Sequence, residues 1–148
     1  MFTPNFLKSS GKYIQLSPAA ASTPFHTIGS TRANVGTFVT AILRAPEISL
    51  KKFVLAKAET LSAGDLLAAW SRATGHAANY VKVSLDEFDK VWPVWGREMG
   101  LMLEFWDDAK DESWSGESII GAEELGVDVG SLVGVEEAFR EVDWAAVL

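Results

Sequence analysis

Residues 51–83 read KKFVLAKAETLSAGDLLAAWSRATGHAANYVKV, and the fold class turns on how this stretch is parsed. Lys52 to Ala56 is short and apolar, as a strand is. Ser62 with Asp65 three residues on forms a capping-box-like start. The helix it opens carries Leu66, Leu67 and Trp70 and is stopped by Gly75. Asn79 to Val83 then reads as a second strand. A strand, an amphipathic helix and a strand in about thirty residues make a crossover unit, so the two strands are expected to be parallel neighbours.

Working outward toward the N-terminus, Asn34 to Ala45 places Val35, Phe38, Val39, Ile42 and Leu43 at i, i+3, i+4, i+7 and i+8. That is one face of a helix, closed by Pro46. Ala19 to Ser30 reads as a loop of small residues and proline, and Lys12 to Ser17 alternates as a strand does. Thr3 to Lys8 reads as a short helix with Thr3 as cap, Pro4 at the first helical position and Gly11 as a stop. Toward the C-terminus, Ser84 with Glu87 repeats the capping signal. The helix it opens breaks near Pro93 and resumes through Trp95, Met99, Met102, Leu103 and Trp106. Beyond the acidic run Asp107 to Glu112, Ala122 to Gly126 and Glu136 to Trp144 read as two short helical pieces. The expectation is a single domain over residues 1–148 of class α+β: a small helical domain with a few short, partly parallel strands.

Composition narrows the function classes. The chain has 148 residues, 48% hydrophobic and 22% charged, which suits a folded domain burying about 70% of its unfolded surface. Its net charge of -7 repels a phosphate backbone, and no basic cluster is longer than Lys51-Lys52, so nucleic acid is not an expected partner. With no cysteine, neither a disulfide framework nor a thiolate metal site is open to it, and a cytoplasmic location is expected. No apolar run approaches the ~20 residues of a membrane span. Six Trp, at 70, 92, 95, 106, 114 and 144, and eight Phe are many for this length. Each large ring buries on the order of 150–250 Å², so a pocket or an interface is implied.

A dinucleotide site needs a glycine-rich turn whose bare backbone amides approach a pyrophosphate. No G-x-G-x-x-G is present: Gly96 and Gly100, and Gly126, Gly130 and Gly134, recur every fourth residue instead. Nor is there a Tyr-x-x-x-Lys dyad, since Tyr13 and Tyr80 are followed four residues on by Ser17 and Ser84. No cofactor is therefore expected, and the chain alone does not read as a self-sufficient NAD(P)-dependent oxidoreductase. No metal is expected either, because the two histidines, His26 and His76, lie far apart in sequence. For Glu104, Asp107, Asp108, Asp111 and Glu112 a solvated helix end is the plainer reading than a cation site.

His26 is the single best placed acid–base candidate, its ordinary pKa lying nearest neutrality; a hydrogen-bonding loop histidine is the plainer alternative. The helix through Trp92, Trp95, Met99, Met102 and Trp106 can wall an apolar substrate pocket, with Glu98 or Arg97 orienting or protonating a ligand. Such a stripe serves a plain core equally well. Tyr80 completes the catalytic candidates His26, Glu98 and Tyr80.

Several strings occur together: Asn5-Phe6-Leu7, Asn34-Val-Gly-Thr-Phe-Val-Thr-Ala-Ile-Leu43, Phe53-Val-Leu-Ala56 leading to Glu59-Thr-Leu-Ser62, Trp70-Ser-Arg-Ala-Thr-Gly75, and Glu141-Val-Asp-Trp144. In order and spacing they resemble the C-terminal, substrate-side portion of the NmrA-like family of atypical short-chain dehydrogenases/reductases, common in fungi. The resemblance implies the remnant of a Rossmann-type reductase's substrate domain. The family's N-terminal nucleotide-binding half has no counterpart in a chain that begins at Met1, so no cofactor-binding residue carries over. The face that would pack on that half is expected to be apolar and covered, most simply in a homodimer. The resulting expectation is a cofactor-independent, non-redox cyclase or isomerase acting on a hydrophobic small molecule of fungal secondary metabolism. The alternatives are a binding or regulatory module, as in family members that sense redox state, and a truncated fragment.

Overall fold

The computed structural model describes residues 3–113 and 117–148; Met1, Phe2, Trp114, Ser115 and Gly116 lie outside the described residues, and with them one of the six tryptophans. The class is α+β, with six α-helices and short strands in three small sheets among the described residues. The chain forms two compact units. The first comprises Met1–Phe25, Leu61–Ser113 and Asp143–Leu148, and the second comprises His26–Thr60 and Trp114–Val142.

The first unit is built on a three-stranded sheet of β1 (Asn5–Leu7), β2 (Lys12–Ser17) and β6 (Ala78–Lys82), in the order β1-β2-β6. β1 is antiparallel to β2, with Asn5 opposite Ile14 and Leu7 opposite Lys12. The helix expected over Thr3 to Lys8 is thus a strand. The expected helix stop, Gly11, is the turn of a hairpin, with φ +66° and its N–H on the Leu7 carbonyl at 2.9 Å. Pairing with β2 outweighs a three-residue local signal, as nonlocal ladders often do. β2 and β6 are parallel over five residues, from Tyr13 opposite Ala78 to Ser17 opposite Lys82.

Helix α3 (Ala63–Thr74) precedes β6 and starts and stops where its caps require. The Ser62 hydroxyl accepts from the Asp65 N–H, and Gly75 ends the helix in the left-handed region at φ +75°. It buries Ala63, Leu66, Leu67, Ala69 and Trp70. Trp70 is wholly buried, with its ring edge-on to Tyr13 at 5.2 Å and to Trp144 at 5.8 Å. A tryptophan buried this way contributes about 3–5 kcal/mol. α4 (Leu85–Val91) opens with the complete capping box of Ser84 and Glu87, and after the break at Pro93 the chain resumes as α5 (Gly96–Ala109). The fourfold spacing of Gly96 and Gly100 finds its reason here. A Cβ on Gly96 would lie 2.9 Å from the Asp89 Cα, and one on Gly100 would lie 2.4 Å from a Leu85 methyl. Both glycines let α5 approach α4 closely.

The second unit packs α1 (Thr31–Arg44) and α2 (Pro46–Ser49) beside the two-stranded parallel sheet of β4 (Phe53–Val54) and β7 (Ile119–Ile120). The expected pairing of the strand near 52–56 with that near 79–83 is therefore not formed. Each is parallel to another strand, β4 to β7 and β6 to β2. The strand that actually leads into α3 is a later one, β5 (Glu59–Ser62), paired with β3 (Pro24–Thr27) inside the stretch expected to be loop. Both β3 and β5 contain a passage of the chain from one unit to the other. Residues 122–126 form a turn, not a helix, closed by the Val127 N–H on the Ala122 carbonyl at 2.8 Å with Gly126 at φ +67°.

The core of the second unit gathers Phe38, Ile120, Ala122, Leu125 and Val127. The face that α1 buries is not the expected one: Asn34 and Phe38 are buried, whereas Val35, Val39 and Leu43 are exposed. Asn34 accounts for the rotation. Its Nδ2 donates to the carbonyls of Ile28 (2.6 Å) and Val133 (2.8 Å), and its Oδ1 accepts from the Val133 N–H (3.0 Å). Fully satisfied, a buried amide is as acceptable in a core as a leucine, and removing it would strand backbone groups at about 1–3 kcal/mol each.

Candidate functional site

The parallel register of β2 and β6 sets the floor of the site. Gln15 lies opposite Tyr80 and Ser17 opposite Lys82, and since strand side chains alternate, all four share one face of the sheet. α4 supplies Phe88 and α5 supplies Leu103 and Trp106. Phe25 stands edge-on to Trp106 at 5.2 Å and 87°. With Ala63, these residues form a partly open cavity of about 130 Å³ lined by Gln15, Ser17, Phe25, Ala63, Tyr80, Phe88, Leu103 and Trp106. A second, more open cavity of about 260 Å³ shares Gln15 and Phe88, its other walls being Thr3, Asn5, Leu16, Trp92 and Trp95. There Trp92 and Trp95 stack at 5.6 Å, and Trp92 leans on Phe88 at 4.6 Å.

The polar groups of the smaller cavity are almost all committed. The Tyr80 hydroxyl donates to the Ala19 carbonyl at 3.0 Å. Burial pushes its pKa above the ordinary phenol value, with the nearby Asp107 charge adding to this and a hydrogen bond with Ser17 opposing it. The phenol is therefore neutral at physiological pH. Ser17 Oγ accepts from the Ala19 N–H at 3.2 Å. Gln15, 8% exposed, donates through Nε2 to the Leu16 carbonyl at 3.3 Å, while its Oε1 is buried without a partner.

Asp107, one residue beyond Trp106, ties this unit together. Its Oδ1 accepts from the Thr23 hydroxyl at 2.5 Å, and its Oδ2 accepts from the Ala20 N–H at 3.1 Å and from Lys82 Nζ at 3.0 Å. The Thr23 hydrogen bond, reinforced by Lys82 and the Ala20 amide and opposed by partial burial, holds its carboxyl below the usual aspartate range. A residue read from sequence as part of a solvated acidic run thus anchors the segment after β2 to α5 and β6.

The other sequence-derived candidates fall as follows. Tyr80 and Trp106 line the smaller cavity, whereas Trp92 and Trp95 line the larger one. Glu98 is exposed on the first turn of α5. Arg97 is exposed and reaches Asp86 at 3.5 Å, a contact of little energetic weight. Met99 and Met102 are half-buried on α5 and line neither cavity. His26 belongs to the second unit, where its Nδ1 pairs with the Thr60 hydroxyl at 2.9 Å. Among the described residues, no group of three or more His, Asp or Glu is placed to hold a metal, and no helix is long and apolar enough to cross a membrane. Sequence reasoning passed over Gln15, Ser17, Phe25, Ala63, Phe88 and Leu103 as site residues. A usable signal existed in the β2 alternation, where Gln15 and Ser17 fall on the same side as Tyr13.

A small α+β chain with an aromatic-lined cavity on a parallel strand pair is the class these features define. The sequence pattern of the NmrA-like family matches residues 1–138, and the chain belongs to that family. Comparison with curated proteins found no match. Family membership points to a reductase-related or regulatory module.

The lowered pKa of Asp107 has a consequence for stability. A carboxyl lowered in the folded state stabilises above the unfolded value, near 4, and loses that contribution as pH falls through its own lower value. Urea unfolding followed from pH 7 to pH 2 should show stability dropping below about pH 4. Asp107→Asn should cost about 1–3 kcal/mol at pH 7 and flatten that acid limb; an equally steep limb in the variant would count against the assignment.

Proposed function

We propose that this chain is a ligand-binding module of the NmrA-like family that holds a small, predominantly apolar molecule in the smaller cavity of its first unit. The observation that carries the reading is the cavity itself, about 130 Å³ walled by Phe25, Ala63, Phe88, Leu103 and Trp106 with polar groups on one side only. A few convergent polar groups in an apolar enclosure are the usual make-up of a small-molecule site.

The second reading is a cofactor-independent cyclase or isomerase of secondary metabolism using His26, Glu98 and Tyr80. Tyr80 in the cavity wall favours it. Against it stand the commitment of the Tyr80 proton to the Ala19 carbonyl and the neutral state that burial imposes on the phenol. These suit a group that orients a ligand better than one that trades protons with it.

Toluene is a suitable probe, since a ring of that size suits the volume. Its titration should shift the Trp106 indole signal saturably in NMR and raise the melting temperature, as any ligand specific to the folded state does. Leu103→Trp and, from the opposite wall, Ala63→Val fill the cavity and should abolish both responses while keeping the far-UV circular dichroism. A non-saturable response, or one unchanged in both variants, would sink the reading.

Self-association belongs to the same proposal, with a second copy of the chain as the occupant. Leu7 and Val81, each 38% exposed, lie on the sheet face opposite Gln15 and Tyr80, where an apolar cover would be favourable. Light scattering should give a dimer and Val81→Glu a monomer; a wild-type monomer at micromolar concentration would contradict it. A cytoplasmic location is proposed with it, as a chain without cysteine has no need of an oxidising compartment.

A further inference from the structure

The smaller cavity selects by size and by the kind of hydrogen bond it lacks. An engineered apolar cavity of roughly 150 Å³ takes one benzene ring, so a cavity of about 130 Å³ accommodates one six-membered ring and little more. Three polar side chains stand in its wall. The Tyr80 hydroxyl donates to the Ala19 carbonyl, and Ser17 Oγ accepts from the Ala19 N–H and shares a further hydrogen bond with Tyr80. Gln15 is different: its Nε2 is committed to the Leu16 carbonyl, which fixes the sense of the amide, and its Oε1 has no partner. The wall therefore has acceptor capacity to spare. Oε1 is itself fully buried, and since the terminal torsion of a glutamine is broad, a turn of the amide at the expense of the long 3.3 Å bond from Nε2 to Leu16 would bring it to a donor inside the cavity.

From this, and resting on the reading of the first unit as a binding module, we infer that the ligand is a monocyclic compound with a single hydrogen-bond donor on its ring, of the phenol or aniline type, whose donor is received by Gln15 Oε1. The ring occupies the space between Phe25, Phe88, Leu103 and Trp106. Tyr80 and Ser17 hold the sheet side rigid without competing for the donor. A ligand whose polar group only accepts meets the lone pairs of Oε1 and is repelled.

The test compares phenol, toluene and benzaldehyde by calorimetric titration of the full chain. Phenol and toluene are near-isosteres that differ in the donor, and benzaldehyde carries an acceptor instead. Phenol should bind about tenfold tighter than toluene, the difference one satisfied buried acceptor makes, and benzaldehyde should bind weakest. Gln15→Leu should erase the preference for phenol while leaving toluene binding intact. Equal affinities for phenol and toluene in the wild-type chain would overturn the donor class and leave the binding module standing. Tighter binding of benzaldehyde than phenol, or an undiminished phenol preference in Gln15→Leu, would overturn it as well. Binding of none of the three would remove both the inference and the reading beneath it.

Discussion

The first unit depends on the parallel ladder between β2 and β6, whose partners are some 65 residues apart, Tyr13 with Ala78 and Ser17 with Lys82. Because strand side chains alternate, that register decides what the cavity is. It sets Gln15 beside Tyr80, both facing the rings of Phe88 and Trp106. A slip of one residue would turn Leu16 and Val81 inward and Gln15 and Tyr80 outward. Asp107 holds the register from outside the sheet by linking Lys82 at the end of β6 with Ala20 and Thr23, just beyond the end of β2. The same aspartate fixes the end of α5 that carries Trp106. Cavity and ladder are thus one construction: hydrogen bonds set the strands, and the strands set the walls.

The two units use buried polar groups differently. In the second, Asn34 has both ends of its amide bonded to backbone and so belongs quietly to a core. In the first, the Gln15 amide is bonded at one end only. An unmatched buried acceptor carries a free-energy cost, and a wall residue beside an unfilled volume is where a ligand can remove it. Trp70 Nε1 is likewise buried without a partner, but Trp70 lines neither cavity, whereas Gln15 lines both.

Where a signal was local, the sequence was readable. Ser62, Asp65 and Gly75 delimit α3 within a residue, Ser84 and Glu87 open α4, and Pro93 separates it from α5. Where pairing is nonlocal, it was not readable. Nothing near Asn5 announces the strand it forms on β2, and nothing in residues 52–56 says that β4 seeks Ile119 and Ile120 in place of β6. Hydrophobicity alone does not give the buried face of α1, because Asn34 is buried by its hydrogen bonds. For the site, aromatic residues gave Trp106, Trp92 and Trp95 away, but as one wall where the structure has two cavities. Gln15 stayed hidden because a polar residue between Ile14 and Leu16 reads as solvent-facing. Its burial comes from α4 and α5 arriving over that face; the alternation of the strand groups it with Tyr13 and Ser17 but does not say that the face is covered.

A largely apolar space between Phe25, Phe88, Leu103 and Trp106 is what the binding reading rests on. Xenon, which enters dry cavities of this size, tests it without assuming any ligand chemistry. Diffraction from crystals pressurised with xenon should show a single strong peak in contact with Leu103 and the Trp106 ring, with the surrounding side chains unmoved. Side chains collapsed into that space, or hydrogen-bonded water filling it and no xenon, would contradict the account.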